Sequence, residues 1–189
     1  GRTRGDQLVF VRFDRVARGI WTLSVYPDTT ITGNFNIWLP MTGLLPQEVF
    51  FLKPDPDITL TSPSSAQIPV TVGGYQVSDK GLYIDSGRGF MVSSVIKPDF
   101  VAPAVNVQGV GVRGNYMTAS GTSVAAAITA GACAQIMEWG IYRQENLALN
   151  SVEIGNLLIR GCDRSRELVY PNTAWGYGRL DAYQAILAL

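Results

Sequence analysis

An α/β layer preceded by an antiparallel β-rich segment is the architecture this sequence predicts. Three observations carry it. Apolar residues alternate with period two in the first third, short apolar runs sit between glycine and proline turns after residue 66, and long apolar helical stretches follow residue 120. In the first third, Val9, Val11 and Phe13 alternate with Phe10 and Arg12, and Trp21, Leu23 and Val25 with Thr22, Ser24 and Tyr26. Phe35, Ile37 and Leu39 alternate with Asn36 and Trp38, and Pro27-Asp28 and Gly33-Asn34 supply the turns. This texture predicts a partial antiparallel sandwich or jelly-roll over residues 1–66, with Trp21 and Trp38 in its core rather than on a sugar-binding face.

Ser62-Pro63-Ser64-Ser65 reads as a connector, and residues 67–189 change character. A short strand is expected over 68–72, ending at Gly73-Gly74, then a strand and loop over 81–89 and another strand over 101–107. A long apolar helix is expected over 122–139 and a second over 151–160, with Ser151 as N-cap and Gly161 just past the end. Asp181 caps a last short helix. Neither an internal repeat nor a low-complexity tract is present.

Composition narrows the function classes. Of 189 residues, 47% are apolar and 16% charged, which is a globular balance with material for a filled core. Fifteen basic residues offset fifteen acidic ones and no basic run occurs, so no electrostatic footprint for nucleic acid or an anionic membrane exists. The apolar stretch 124–137 falls short of the ~20 residues a bilayer needs and is expected to be a buried helix. The opening Gly1-Arg2-Thr3-Arg4-Gly5-Asp6 lacks the apolar stretch of a signal peptide. Cys133 and Cys162 form neither a disulfide framework nor a metal pattern, and no cofactor is expected. Most informative is a zero: the chain has no histidine. A Ser-His-Asp mechanism cannot be completed by these residues alone.

Gly121-Thr122-Ser123 stands directly before the apolar helix. A helix N-terminus offers unpaired N–H groups and the positive end of the dipole, which together stabilise an oxyanion. Glycine at 121 leaves room for a substrate carbonyl. A serine hydroxyl is a poor nucleophile without an adjacent base, so this is half of a site. On the tripeptide alone, a simple helix cap at Thr122 or Ser123 is the plainer reading.

The surrounding residues change that balance. Ser120-Gly121-Thr122-Ser123-Val124-Ala125 resembles the serine motif of the subtilisin-like proteases, the subtilase family. Lys97-Pro98-Asp99-Phe100-Val101-Ala102-Pro103 resembles the family's KPDxxAPG segment, and Pro69-Val70-Thr71-Val72-Gly73-Gly74-Tyr75 its xTVGAY strand. Ser86-Gly87-Arg88-Gly89 is similar to its SxRG loop, and Trp175-Gly176-Tyr177-Gly178-Arg179-Leu180-Asp181-Ala182 to its closing GYGRxDA element. Five motifs in family order span residues 69–182.

Gly19-Ile20-Trp21-Thr22 and Gly33-Asn34-Phe35-Asn36-Ile37-Trp38-Leu39-Pro40 resemble the inserted jelly-roll of the Csp-type germination proteases of spore-forming bacteria and their secreted relatives. The resemblance implies a fold made of a partial jelly-roll insertion (1–66) and the C-terminal portion of a subtilisin-like parallel-sheet domain (67–189). It also implies a spore-associated or secreted bacterial setting. In that subgroup the insertion lies between the oxyanion asparagine and the nucleophile. The aspartate, histidine and asparagine are therefore expected upstream of Gly1, on a complementary N-terminal fragment. Two departures stand out. Ala127 occupies a position usually proline in the wider family and commonly alanine in the subgroup. Ala104 replaces the glycine of APG, which is expected to restrict that loop.

By resemblance, Ser123 is the nucleophile of a serine endopeptidase acting on protein or peptide substrates. Thr122 supports the oxyanion site or caps the helix, and Gly121 lines the substrate pocket or simply permits the turn. Asp99, Asp85 and Asp181 are assigned to structure, Arg88 to a loop anchor, and Cys133 to core filling. The chain alone is expected to be inactive. Two alternatives remain at this point: a pseudoprotease that keeps the fold for signalling or scaffolding, and a jelly-roll binding module.

Overall fold

The computed structural model describes residues 9–26, 35–40, 44–90, 95–143 and 149–188. The chain divides into two compact units, Gly1–Phe50 and Phe51–Leu189.

In the first unit the described residues form no strand and are almost all exposed, which departs from the alternation in the sequence. Trp21 is 60% and Trp38 56% exposed, so neither is a core residue here. Two local contacts occur in it: the Phe13 and Trp21 rings meet edge to face at 5.8 Å, and the Trp21 indole N–H donates to the Ala17 carbonyl. The physical reason is that a strand pattern encodes a half-buried surface, and strands without an opposing apolar layer gain too little to order. The turn residues Pro27-Asp28 and Gly33-Asn34 lie outside the described residues.

The second unit is built on strand β2 (Phe100–Pro103). On one side β2 pairs in parallel with β1 (Val72–Tyr75), Val72 opposite Phe100 and Tyr75 opposite Pro103. On the other, the 178–180 segment runs parallel to it: Val101 N donates to Gly178 O at 2.9 Å and Leu180 N to Val101 O at 2.8 Å. A parallel layer buried on both faces explains why Phe100, Val101 and Ala102 are all inaccessible. The other edge of β1 is met by the 81–83 segment running antiparallel: Tyr83 N donates to Gly74 O at 2.9 Å and Gln76 N to Gly81 O at 2.8 Å.

Gly73 and Gly74 lie inside β1 rather than ending it, because neighbours approach too closely for side chains. A Cβ on Gly74 would stand 2.5 Å from the Ala104 Cβ. The methyl at 104 thus occupies the space that an alanine at 74 would need. Ala104 does not adopt a positive φ, so the expected restriction of its loop does not arise; the left-handed residue nearby is Asn106, at φ 52°.

An antiparallel hairpin, β3 (Val107–Val110) with β4 (Tyr116–Ala119), follows β2 and was not legible as such. Its residues are largely exposed and lack an apolar alternation, so only the turn glycines Gly111 and Gly114 hint at it.

Helix α1 (Thr122–Arg143) is longer than expected. By length and composition the stretch 122–142 is long and apolar enough to cross a bilayer, which corrects the expectation of a shorter run. Its burial is one-sided: Ala125, Thr129, Ala132, Ile136 and Gly140 recur at helical spacing and face the interior. Phe100, Ala102 and Ala104 alternate along the β2 end and join these residues in the buried clusters. The remaining faces of α1, including Ala126, Ala127, Ala130 and Ala134, are exposed, so the helix is not buried all round.

Helix α2 (Ser151–Gly161) is capped by Asn150, one residue before the expected Ser151. The Asn150 carboxamide oxygen accepts from the Val152 and Glu153 amides, and Glu153 returns a bond to the Asn150 amide, a reciprocal capping box worth about 1 kcal/mol. Gly161 is the last helical residue and is packed against Ala185 of α3 (Ala182–Leu187). Asp181 caps α3 by accepting from Gln184 N, as anticipated.

The Gly74–Ala104 contact gives a direct test. Gly74→Ala overpacks the β1–β2 layer and is expected to cost about 1–3 kcal/mol in denaturant unfolding. Adding Ala104→Gly should recover most of that loss. A double variant no more stable than Gly74→Ala would show that the two positions do not share that space.

Candidate active site

The site starts from a braced strand. Before β2, Lys97 and Asp99 form an ion pair at 2.6 Å, with Lys97 only 3% exposed. The same Asp99 oxygen accepts from Thr71 N at 2.6 Å, and the Lys97 ammonium also donates to Pro69 O at 2.7 Å. Every partner of this buried charge pair comes from the entry to β1 or β2. That is the condition under which a desolvated pair holds a geometry instead of opposing it. Asp99 is therefore a structural brace, as expected.

From the end of β2 the bracing passes to the helix tip. Ala104 N donates to Tyr75 O at 2.9 Å, and Ala104 O accepts from Gly121 N at 2.8 Å. Gly121 has φ 145°, where side chains are strained, and its carbonyl receives the first helical bonds from Val124 N and Ala125 N. This places Gly121 at the cap position and makes Thr122 and Ser123 the first two helical residues. Thr122 is not itself the cap.

Ser123 is exposed at that tip, and no described residue hydrogen-bonds its hydroxyl. The amides of Thr122 and Ser123 have no described acceptor either, and the first turn carries no acidic side chain. An exposed hydroxyl beside free amides at the positive end of a 22-residue helix suits attack on a carbonyl and stabilisation of the resulting oxyanion. A groove of about 420 Å³ is lined by Val72, Gly73, Ser86 and Arg88 and, of the three tip residues, by Thr122 alone. A second cavity of about 540 Å³ lies at the α2–α3 end, around Arg160, Cys162 and Arg164, and includes none of Gly121, Thr122 or Ser123.

Of the other singled-out residues, Asp85 and Arg88 line the groove with Thr122, and the cysteines do not. The loop at Arg88 is held by its backbone, whose N–H donates to Thr59 Oγ1 and whose carbonyl accepts from Thr59 N. Ser86, which the sequence gave no role of its own, accepts from Gly74 N at 3.0 Å and ties the same loop to β1. Cys133 is half-buried and burial pushes its thiol up from the ordinary value. Burial pushes the Cys162 thiol up to about 12. Neither is a nucleophile at neutral pH. Among the described residues no group of side chains is suited to hold a metal.

The family model of the subtilases (peptidase S8) matches residues 32–178, a span that includes the whole helix tip and both strands of the parallel pair. The chain belongs to the subtilase family. Among solved structures it is similar to the CspB protease of Clostridium perfringens, at 35% identity and a TM-score of 0.68, over 72% of this chain and 30% of that one. It also shares its fold with the prenylagaramide maturation protease PagA (23% identity, TM-score 0.59, 71% of this chain and 47% of that one). A lanthipeptide protease shares it too (21%, 0.55, 67% and 43%). The chain therefore spans less than half the length of each. No curated protein matches.

The Cys162 thiol sets a pH dependence. Its folded value lies above the unfolded value near 9, so the stability it contributes is complete below pH 9 and is lost as pH rises toward 12. Melting temperature should be level to about pH 8.5 and decline above 9. Cys162→Ser should show a shallower decline; an unchanged slope in the variant would contradict this assignment.

Proposed function

We propose that this chain is the nucleophile-bearing portion of a subtilase-type serine endopeptidase, with Ser123 forming the acyl-enzyme. In this reading Ser123 Oγ attacks the scissile carbonyl and passes its proton to an imidazole on an upstream segment of the same protein. The tetrahedral oxygen is held by the Ser123 amide and by an upstream asparagine, with the Thr122 hydroxyl in support. Gly121 leaves the backbone open to the substrate. Residues 1–66 are then part of an inserted jelly-roll, and residues 67–189 the C-terminal part of the catalytic domain. The setting proposed is a spore-associated or secreted bacterial protease acting on a protein or propeptide.

One observation carries the reading: the serine hydroxyl is exposed beside unpartnered helix amides in a chain that has no histidine. In this reading the exposed hydroxyl is the acyl-accepting half of a triad, and the base is supplied from outside these residues. The exposed alanines of α1 support the same division. They form a surface against which further elements of a larger domain would pack. The likeness to the C. perfringens CspB protease over most of this chain supports the protease class.

A fluorophosphonate probe tests this on the full-length protein. The adduct should map to Ser123 and disappear in Ser123→Ala. The 189-residue chain alone should react at least about 10³-fold more slowly, because an unassisted hydroxyl is a weak nucleophile. Labelling at another residue, or equal labelling of the isolated chain, would defeat the proposal. Failure to label despite an intact upstream aspartate, histidine and asparagine would mark a pseudoprotease.

A further inference from the structure

Between the hairpin and the nucleophile lies a hydrogen bond that the mechanism above does not use. The β3–β4 register pairs Val107 with Ala119, so the next rung outward sets Asn106 opposite Ser120. Gly111 N donates to Asn115 O, so the hydrogen-bonded pairs of this antiparallel ladder are 111/115, 109/117 and 107/119, and Asn106–Ser120 is a rung without backbone bonds across it. There the Asn106 N–H donates to the Ser120 hydroxyl oxygen at 2.8 Å. This side-chain bond adds a tie at the last residue before Gly121, which turns at φ 145° into α1. On the other strand Asn106 adopts φ 52°, a conformation asparagine tolerates, which aims its N–H across the rung.

We propose that Ser120 is a positioning residue for the nucleophile, an inference that rests on the reading of Ser123 above. Its hydroxyl fixes the end of the hairpin to the start of α1. Together with the Ala104–Gly121 bond it holds the helix tip at two points, one buried and one exposed. Two points define both the place and the direction of the tip, whereas one point leaves it to pivot. A nucleophile displaced by a fraction of an ångström loses attack geometry while its substrate still binds. The predicted signature is a loss in the chemical step at unchanged affinity.

The test uses the full-length protein and the saturation kinetics of a fluorophosphonate, which separate kinact from KI. Ser120 is exposed, so Ser120→Thr and Ser120→Val differ chiefly in the hydroxyl. Ser120→Thr should keep kinact within about threefold of the parent, and Ser120→Val should lower it about tenfold or more, with KI within twofold for both. Asn106→Gly, which keeps the N–H and the positive φ, should behave like the parent. Equal kinact for the Thr and Val variants would overturn the proposal. So would a change confined to KI, or unfolding of Ser120→Val while Ser120→Thr folds, because the role would then be structural. If the parent itself is not labelled at Ser123, the functional reading fails first, and the two failures are told apart.

Discussion

The Ala104 carbonyl holding the Gly121 amide is the interaction on which the site depends. Everything before it in the second unit serves to fix Ala104. The Lys97–Asp99 pair aligns the entries of β1 and β2, the parallel ladder fixes β2, and Gly74 leaves the space that the Ala104 methyl fills. Everything after it depends on Gly121. The glycine's backbone turns the chain from strand layer to helix, and the helix delivers a serine with two unpaired amides beside it. A hydroxyl on a mobile tip would not hold attack geometry, so the proposed role of Ser123 rests on the packing of a buried strand.

Helix α1 is two surfaces with different partners. One face, from Ala125 to Gly140, is closed by β2 and its neighbours. The other is open and rich in alanine, whose small side chains allow close approach of another element. In the sheet, β1 and β2 pair with each other, and each is bridged on its other side, β1 to Leu82 and β2 to Arg179. The first unit also leaves apolar surface open, with aromatic residues exposed for want of an opposing layer. These are consistent with a chain whose apolar surface matches more protein than it contains.

Much of the second unit was legible because its sequence carries physical constraints that leave marks. Asp99 after Pro98 is assigned to structure through the family resemblance, Asp181 reads as a cap, and Gly121 ahead of an apolar run as a permissive turn. The jelly-roll expectation for the first third found no strands among the described residues, since alternation encodes a surface that needs a partner to bury it. The β3–β4 hairpin left no mark because exposed strands need no apolar pattern. Ser151 and Asn150 are equally good caps on paper, and Glu153 decides between them by completing the box with Asn150. The Gly74–Ala104 exchange was invisible for another reason. Ala104 reads as an isolated departure and Gly74 as the end of a strand, and three-dimensional proximity is what makes them one feature.

A structure of the full-length protein tests the central claim most directly. The account predicts an imidazole nitrogen from upstream of Gly1 within hydrogen-bond reach of Ser123 Oγ, about 2.6–3.2 Å. It also predicts a groove leading to that point. A helix tip covered by other side chains, with no imidazole beside it, would contradict the account.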